Sequence, residues 1–264
     1  MLKEATMTAV TVLTATDLHQ SRQLYADLRK AVAGHQPDIV AIVGDCLHAG
    51  EDMDGRLTLA ESAAILASLP CNHVVFVRGN HEDENWLEFA ECWHRSGRPL
   101  ATLNGEVFQF GPLIMVGFPC LLGTEDYFIA PREPLPCPDE EWLTPLLDKH
   151  GLAARTLWLM HEPPKGTILS RSSGPLAGNS IWTQAIERFA PRLVVFGHDH
   201  DIPIRISNWH CRVGNSTCIN VGQTSTGPLH YTVVTAKFSA MEPNQLLEIT
   251  VTAYPVRETI NISG

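Results

Sequence analysis

The chain has 264 residues, 44% hydrophobic and 18% charged, which suits a soluble globular protein large enough to bury a core without disulfide staples. Its formal net charge is −10, and its 19 Lys and Arg are scattered, with no basic run longer than Arg29-Lys30. That argues against a nucleic-acid groove, whose affinity rests on clustered cations, but not against a single phosphate ester held by metals.

From the N-terminus, Met1 to Ala9 is too short and mixed for a secretory h-region, and no run approaches the ~18 apolar residues of a membrane span. Ala9 to Thr16 reads as a buried strand, and Ser21 to Gly34 as an amphipathic helix capped by Ser21. Ile39 to Val43 is a second strand, Arg56 to Leu69 a helix stopped by Pro70, and Val74 to Val77 a third strand. Glu84 to Ser96 is a helix whose Trp86, Phe89 and Trp93 make a core stripe. This alternation predicts βαβ units with parallel pairing.

Glu106 to Phe110 and Leu113 to Phe118 then read as a hairpin through Gly111-Pro112. A long proline-rich loop follows from Phe118 to Asp139, either a wall of the site or a surface excursion. A helix near Glu140 to His150, a strand at Thr156 to Met160, a helix near Ser180 to Phe189 and a strand at Leu193 to Phe196 come next. After residue 200 the pattern looks antiparallel, with strands at Ile202 to Ile206, Ile219 to Val221, Tyr231 to Phe238 and Leu246 to Ala253. With no repeat and no linker, residues 1–264 read as one domain, with a motif-bearing core at 9–200 and antiparallel strands at 201–264.

Seven cysteines, an odd number with no CxxC spacing, point to a reducing, cytoplasmic setting. Cys211 and Cys218 could face each other across a hairpin, but read as free thiols.

Metal-ligand residue types recur where the predicted strands end, which is where open α/β sheets place their sites. Asp17-Leu18-His19 follows the first strand, Gly44-Asp45 the second and Gly79-Asn80-His81-Glu82 the third. His161 follows a later strand, and Gly197-His198-Asp199-His200 the next. Each fragment alone is an ordinary cap or surface group; five at successive strand ends form a pattern. The glycines let the backbone turn tightly beside a ligand. Mixed imidazole and carboxylate donors suit Mn, Fe, Zn or Ni better than Ca or Mg.

This ordered set, spanning Asp17 to His200, resembles the calcineurin-like metallophosphoesterase signature. The resemblance implies a single-domain four-layer α/β/β/α sandwich of two mixed sheets, with two transition-metal ions at one edge. Asp17, His19, Asp45 and His200 would hold one ion. Asp45, Asn80, His161 and His198 would hold the other, with the Asp45 carboxylate bridging. The implied activity is hydrolysis of a phosphoester by water activated between the two ions, with His81 as general acid toward the leaving oxygen.

Arg78 to Glu82 also resembles the Arg-Gly-Asn-His-Glu run of protein serine/threonine phosphatases, making Arg78 a candidate phosphate clamp. The chain departs from those enzymes after Gly44-Asp45. His48 stands where they carry the Asp that orients the catalytic histidine, so His81 must find another partner and His48 becomes a candidate substrate contact. His161 through Pro163-Pro164 and Gly166 looks more like small metallophosphoesterase-domain phosphodiesterases. The reading therefore leans to a phosphodiester or small phosphorylated metabolite, with a phosphomonoesterase, a protein phosphatase or a non-catalytic metal-binding scaffold as alternatives. Lys165 and Arg171 are further groups that could touch substrate. His35, His73, His94, His150, His210 and His230 belong to no motif.

Overall fold

The computed structural model describes residues 8–48, 55–82, 85–118, 156–224, 226–242 and 245–263. The proline-rich loop and the helix expected near Glu140 to His150 lie outside them.

The first sheet contains β1 (Thr8–Ala15), β2 (Ile39–Val43), β3 (His73–Val77), β4 (Ala101–Thr102), β11 (Tyr231–Phe238), β12 (Leu246–Tyr254) and β13 (Glu258–Ser263). Its order is β13-β12-β11-β1-β2-β3-β4. β1 to β4 run parallel, while β11 pairs antiparallel with β1 and continues antiparallel through β12 to β13. The second sheet contains β5 (Glu106–Phe110), β6 (Leu113–Phe118), β7 (Thr156–Met160), β8 (Leu193–Val195), β9 (His210–Val213) and β10 (Ser216–Ile219), in the order β5-β6-β7-β8-β10-β9. It too is mixed, parallel from β6 through β10 and antiparallel at both edges.

The period-two geometry of a strand decides the layers. Val10 and Val12 of β1, Ile39, Ala41 and Val43 of β2, and Val75 and Val77 of β3 point into a core shared with Leu157 and Leu159 of β7 and Leu193 and Val195 of β8. The alternate residues Leu13, Val40, Ile42, Val74 and Phe76 face the helices α1 (Arg22–His35), α2 (Leu59–Ala67) and α3 (Trp86–His94). Trp158, Met160, Val194 and Phe196 face α4 (Ser180–Phe189) on the other outer side. Helix, sheet, sheet and helix are thus four layers of one α/β domain. β11 and β12 alternate buried and half-buried residues, because only one face of each is covered by a second layer.

Helix starts follow local chemistry. The Ser21 hydroxyl accepts from the Leu24 amide, and Thr58 and Glu61 form a reciprocal capping box that starts α2 three residues later than expected from Arg56. The Trp86, Phe89 and Trp93 stripe packs on Phe76, as a core stripe should.

One expected strand is a helix: Ile202–Ile206 forms α5. Its apolar alternation mimics a strand, but Pro203 in the first turn presets a helical φ, and the Asp199 carboxylate accepts from the Asp201 and Ile202 amides at 3.1 and 3.0 Å. The strand expected at Ile219 to Val221 is β10, ending at Ile219. The short or polar edge strands β4, β9 and β13 add to the expected set. Cys211 and Cys218 do face each other across the β9–β10 hairpin, and both are free thiols.

Candidate metal centre

The C-terminal ends of β1, β2 and β3 in one sheet and of β7 and β8 in the other meet along one rim of the sandwich. Each delivers polar side chains on a sharply turned backbone. Asp17, His19, Asp45 and His198 have positive φ (54°, 44°, 50° and 67°) although none is glycine. Such conformations cost energy and persist where the surroundings impose them, commonly at functional sites.

Glycines make the approach close. A side chain at Gly44 would overlap the His161 ring, and one at Gly79 would overlap Asp45 Oδ1 and come within 2.8 Å of His161 Nε2. One at Gly197 would overlap Thr16 Oγ1 and reach 2.5 Å from Asp17 Oδ2.

Two groups of donors result. In the first, His200 Nε2 lies 3.1 Å from Asp17 Oδ1 and 3.3 Å from His19 Nε2. In the second, Asp45, His161 and His198 converge, with the Asn80 side-chain oxygen 3.2 Å from His161 Nε2. Asp45 Oδ2 faces both groups, 3.2 Å from His161 Nε2 and 4.0 Å from His19 Nε2.

The hydrogen-bond roles in the second group are forced. His161 Nδ1 sits 3.0 Å from the Val43 carbonyl oxygen, which can only accept, so Nδ1 carries the proton. In a neutral ring Nε2 is then an acceptor facing two further oxygen acceptors. Three lone pairs aimed at one point call for a cation, either a metal or a second ring proton. His19 Nδ1 is buried with no hydrogen-bond partner among the described residues. These residues fit a pair of metal ions.

The electrostatics agree. Burial pushes the Asp45 carboxyl upward, but the facing His161 ring, then His19 and His81, hold it well below the usual carboxylate range. Burial likewise raises Asp17, and His200 outweighs it to leave that carboxyl lowered. Burial lowers His161, yet Asp45 at hydrogen-bond distance wins and takes it up to about 10. His19 and His198 are pressed down to about 4, chiefly by burial. The rim thus combines two ionised carboxylates with two neutral imidazoles, His19 and His198, while His161 and His200 are raised, His200 by the Asp17 carboxylate against the effect of burial, so that a metal would displace their ring protons.

All seven residues expected as ligands come together here. His81 joins them, with Nε2 3.9 Å from Asp45 Oδ2 and its backbone amide donating to Asp45 Oδ1 at 2.9 Å. Its ring lies edge-on to His19, centroids 4.7 Å apart, and nearly parallel to His48 at 5.8 Å. His48 is therefore a neighbour of the centre. Arg78 is anchored on the Asn104 side-chain amide. Arg171 forms an ion pair with the fully buried Asp199 at 3.0 Å and reaches Asp201 at 3.4 Å.

Several supporting groups carried no sequence expectation. The buried Glu82 carboxylate accepts from the amides of Asp45 (2.9 Å), Leu47 (2.9 Å) and Gly79 (2.6 Å), tying the β2 and β3 loops together. Burial, and next the Asp45 charge, raise it to about 7. The Thr16 hydroxyl donates to Asp17 Oδ2 at 2.7 Å or to the Val43 carbonyl at 2.8 Å, and Asn220 bridges the Gly197 and Asp199 carbonyls to the Gly222 amide. Glu82 stands inside the Gly-Asn-His-Glu run, and that was its available signal; Asn220 had none.

The chain belongs to the calcineurin-like phosphoesterase family, whose model matches residues 10–201. Members are phosphoester hydrolases that typically bind two metal ions. Among solved structures, a dimetal phosphatase from Danio rerio is similar at 12% identity with a TM-score of 0.62, over 96% of this chain and 98% of that one. A protein of Thermus thermophilus is similar at 17% identity and TM-score 0.60, over 97% and 100%. A purple acid phosphatase from yellow lupin seeds is similar at 13% identity and TM-score 0.58, over 98% of this chain but 54% of that one. At these identities the likeness speaks to the fold. No curated protein matches the chain.

Proposed function

We propose that this chain is a dinuclear phosphodiesterase acting on a small phosphodiester or phosphorylated metabolite. The observation that carries the reading is the position of Asp45 Oδ2 between the His161 and His19 ring nitrogens, where one carboxylate can serve two cations. Asp17, His19, Asp45 and His200 would hold one ion and Asp45, Asn80, His161 and His198 the other, drawn from Mn, Fe, Zn or Ni. When bound, the pair supplies Lewis acidity toward the phosphoryl oxygens and activates water.

The remaining chemistry falls to the chain. The His81 side chain is 29% accessible and its Nε2 points toward Asp45, so it can reach a leaving oxygen and give it a proton. The hydrogen bond its backbone amide donates to Asp45 Oδ1 and the flanking rings of His19 and His48 hold it in place of the missing aspartate. That substitution disfavours a protein phosphatase, and the His-x-Pro-Pro-x-Gly segment supports a diester. The net charge of −10 and the scattered cations support a small substrate over a nucleic acid. No helix among the described residues is long and apolar enough to cross a membrane; the cytoplasmic setting is proposed from the scattered cysteines.

Hydrolysis of bis(p-nitrophenyl) phosphate and p-nitrophenyl phosphate in added Mn²⁺, with Asp45→Asn as control, tests this. Diester turnover that the control abolishes is expected. A monoester preference would overturn the diester assignment, and no turnover of either substrate at full metal occupancy would favour a non-catalytic scaffold.

A further inference from the structure

We propose that Cys211 and Cys218 are a redox modification site: a dithiol that low-molecular-weight disulfides such as oxidised glutathione close into a cross-strand bond. Neither residue is a ligand of the metal centre, and the inference does not depend on the diester reading.

The hairpin itself brings the two sulfurs together. Val213 and Ser216 flank the two-residue turn Gly214-Asn215, in which Gly214 has a φ of 54°, and the length of such a turn fixes the register behind it. Cys211 therefore falls directly opposite Cys218. Opposed residues of an antiparallel pair have Cα atoms about 4.5–5.5 Å apart, inside the roughly 4.4–6.8 Å that a disulfide spans. Both side chains lie on the α4 side of the sheet, where Cys218 packs with Val194, Phe196 and Val213 and Cys211 sits at the margin of that core. The two thiols hydrogen-bond each other.

Their surroundings give them different roles. Cys218 is fully buried, whereas Cys211 is half-buried. The bond from Cys218 lowers the Cys211 thiol from its ordinary value against the effect of burial, and the Thr167 hydroxyl lowers it further. The same bond, followed by burial, pushes the Cys218 thiol well up. Cys211 is thus the attacking sulfur and Cys218 the resolving one. The Cys211 thiolate attacks one sulfur of oxidised glutathione and expels a glutathione thiolate. Cys218 gives its proton to that thiolate, its sulfur attacks Cys211 Sγ, and the second glutathione leaves as a thiolate. Two protein thiols are oxidised, and one glutathione disulfide is reduced to two thiols. The other described cysteines are engaged elsewhere: Cys46 is buried on the helix side of the first sheet, Cys71 Sγ lies 3.2 Å from Arg98 Nη2 and Cys92 Sγ 2.8 Å from Arg95 Nη2. The new bond staples β9, an edge strand, to β10.

Trypsin cuts after Arg205, Arg212 and Lys237, which puts the two cysteines on separate peptides, 206–212 and 213–237. The test incubates the folded full chain with oxidised glutathione, alkylates the remaining thiols and digests without reductant before mass spectrometry. The expected product is the 206–212 peptide linked to the 213–237 peptide. Cys218→Ser should stop with one glutathione on Cys211, and Cys211→Ser should leave Cys218 as an alkylatable thiol. A wild-type chain that keeps both thiols, holds glutathione on Cys211 without linking the peptides, or links Cys211 to a different cysteine overturns the pair. Glutathione found on Cys218 in Cys211→Ser as readily as on Cys211 in Cys218→Ser overturns the assigned order of attack.

Discussion

Asp45 is joined to the His81-Glu82 turn in both directions: the Asp45 amide donates to Glu82 Oε2 at 2.9 Å, and the Asp45 carboxylate accepts from the amide of His81, the residue before Glu82. Two buried carboxyl groups are held in adjoining positions because each is surrounded by donors, and burial together with the Asp45 charge raises Glu82 to about 7. Glu82 satisfies three amides at once, and Asp45 faces the histidines.

Replacing Glu82 by Gln sets an amide NH₂ against at least one of those backbone N–H groups. The expected loss is about 3 kcal/mol of stability, since each buried donor left unpaired costs roughly 1–3 kcal/mol. Metal affinity should fall by roughly 10–100-fold, as for other groups that support metal ligands. Chemical denaturation and metal titration read the two effects separately.

His81→Ala should leave two metal ions bound and lower kcat by roughly 10²–10⁴-fold for a diester with an alkoxide leaving group. With p-nitrophenolate, which departs without a proton, the loss should be much smaller. Equal rates for wild type and variant across leaving groups would remove His81 from the reaction.

Metal uptake near pH 7 should release protons. In the metal-free protein Asp45 holds His161 protonated up to about 10, and a cation at its Nε2 takes that proton's place. Calorimetry in buffers of different ionisation enthalpy measures the number released. The sign for stability follows: a raised histidine contributes fully below 6.5 and its contribution is lost as pH rises through about 10. Chelated protein should therefore weaken between pH 7 and 10 more than metal-loaded protein does.

Gly79→Ala places a methyl group over Asp45 Oδ1 and 2.7 Å from the Asp45 amide nitrogen. The expected variant folds, because the strands are untouched, yet binds metal weakly at both halves of the centre. A change confined to one ion would contradict the bridging position of Asp45.

Arg171→Ala removes the cation paired with Asp199. That carboxylate keeps the Asp201 and Ile202 amides, so the expected cost is about 2 kcal/mol, less than the ~3–5 kcal/mol of a fully stripped buried pair. Thermal unfolding shows it, while KM for a diester stays unchanged if Arg171 touches no substrate.

The site was more legible in the sequence than the edges of the fold. Asp17, His19, Asp45, Asn80, His161, His198 and His200 announced themselves because each follows a strand whose apolar run is plain, and because glycines mark the turns beside three of those loops. The strands β4, β9 and β13 lacked that signal, being short or polar at sheet edges. α5 was misread because Ile202, Ile204 and Ile206 alternate like a strand, and that pattern masked the local helix signals of Pro203 and of Asp199, whose carboxylate takes the Asp201 and Ile202 amides. Glu82 and Asn220 show a different limit: each also binds backbone groups of a distant loop, and no local spacing reveals that.

The centre draws Asp17, His19, Asp45 and Asn80 from one sheet and His161, His198 and His200 from the other, on opposite sides of the core between them. Metal ions bound there would cross-link two halves whose shared interior is apolar. Each ion would take donors from both sheets, so how closely the two donor sets approach depends on how thickly Val43, Val77, Leu159 and Val195 fill the space beneath, and trimming a methyl group from the interior becomes a way to tune metal binding without touching a single ligand.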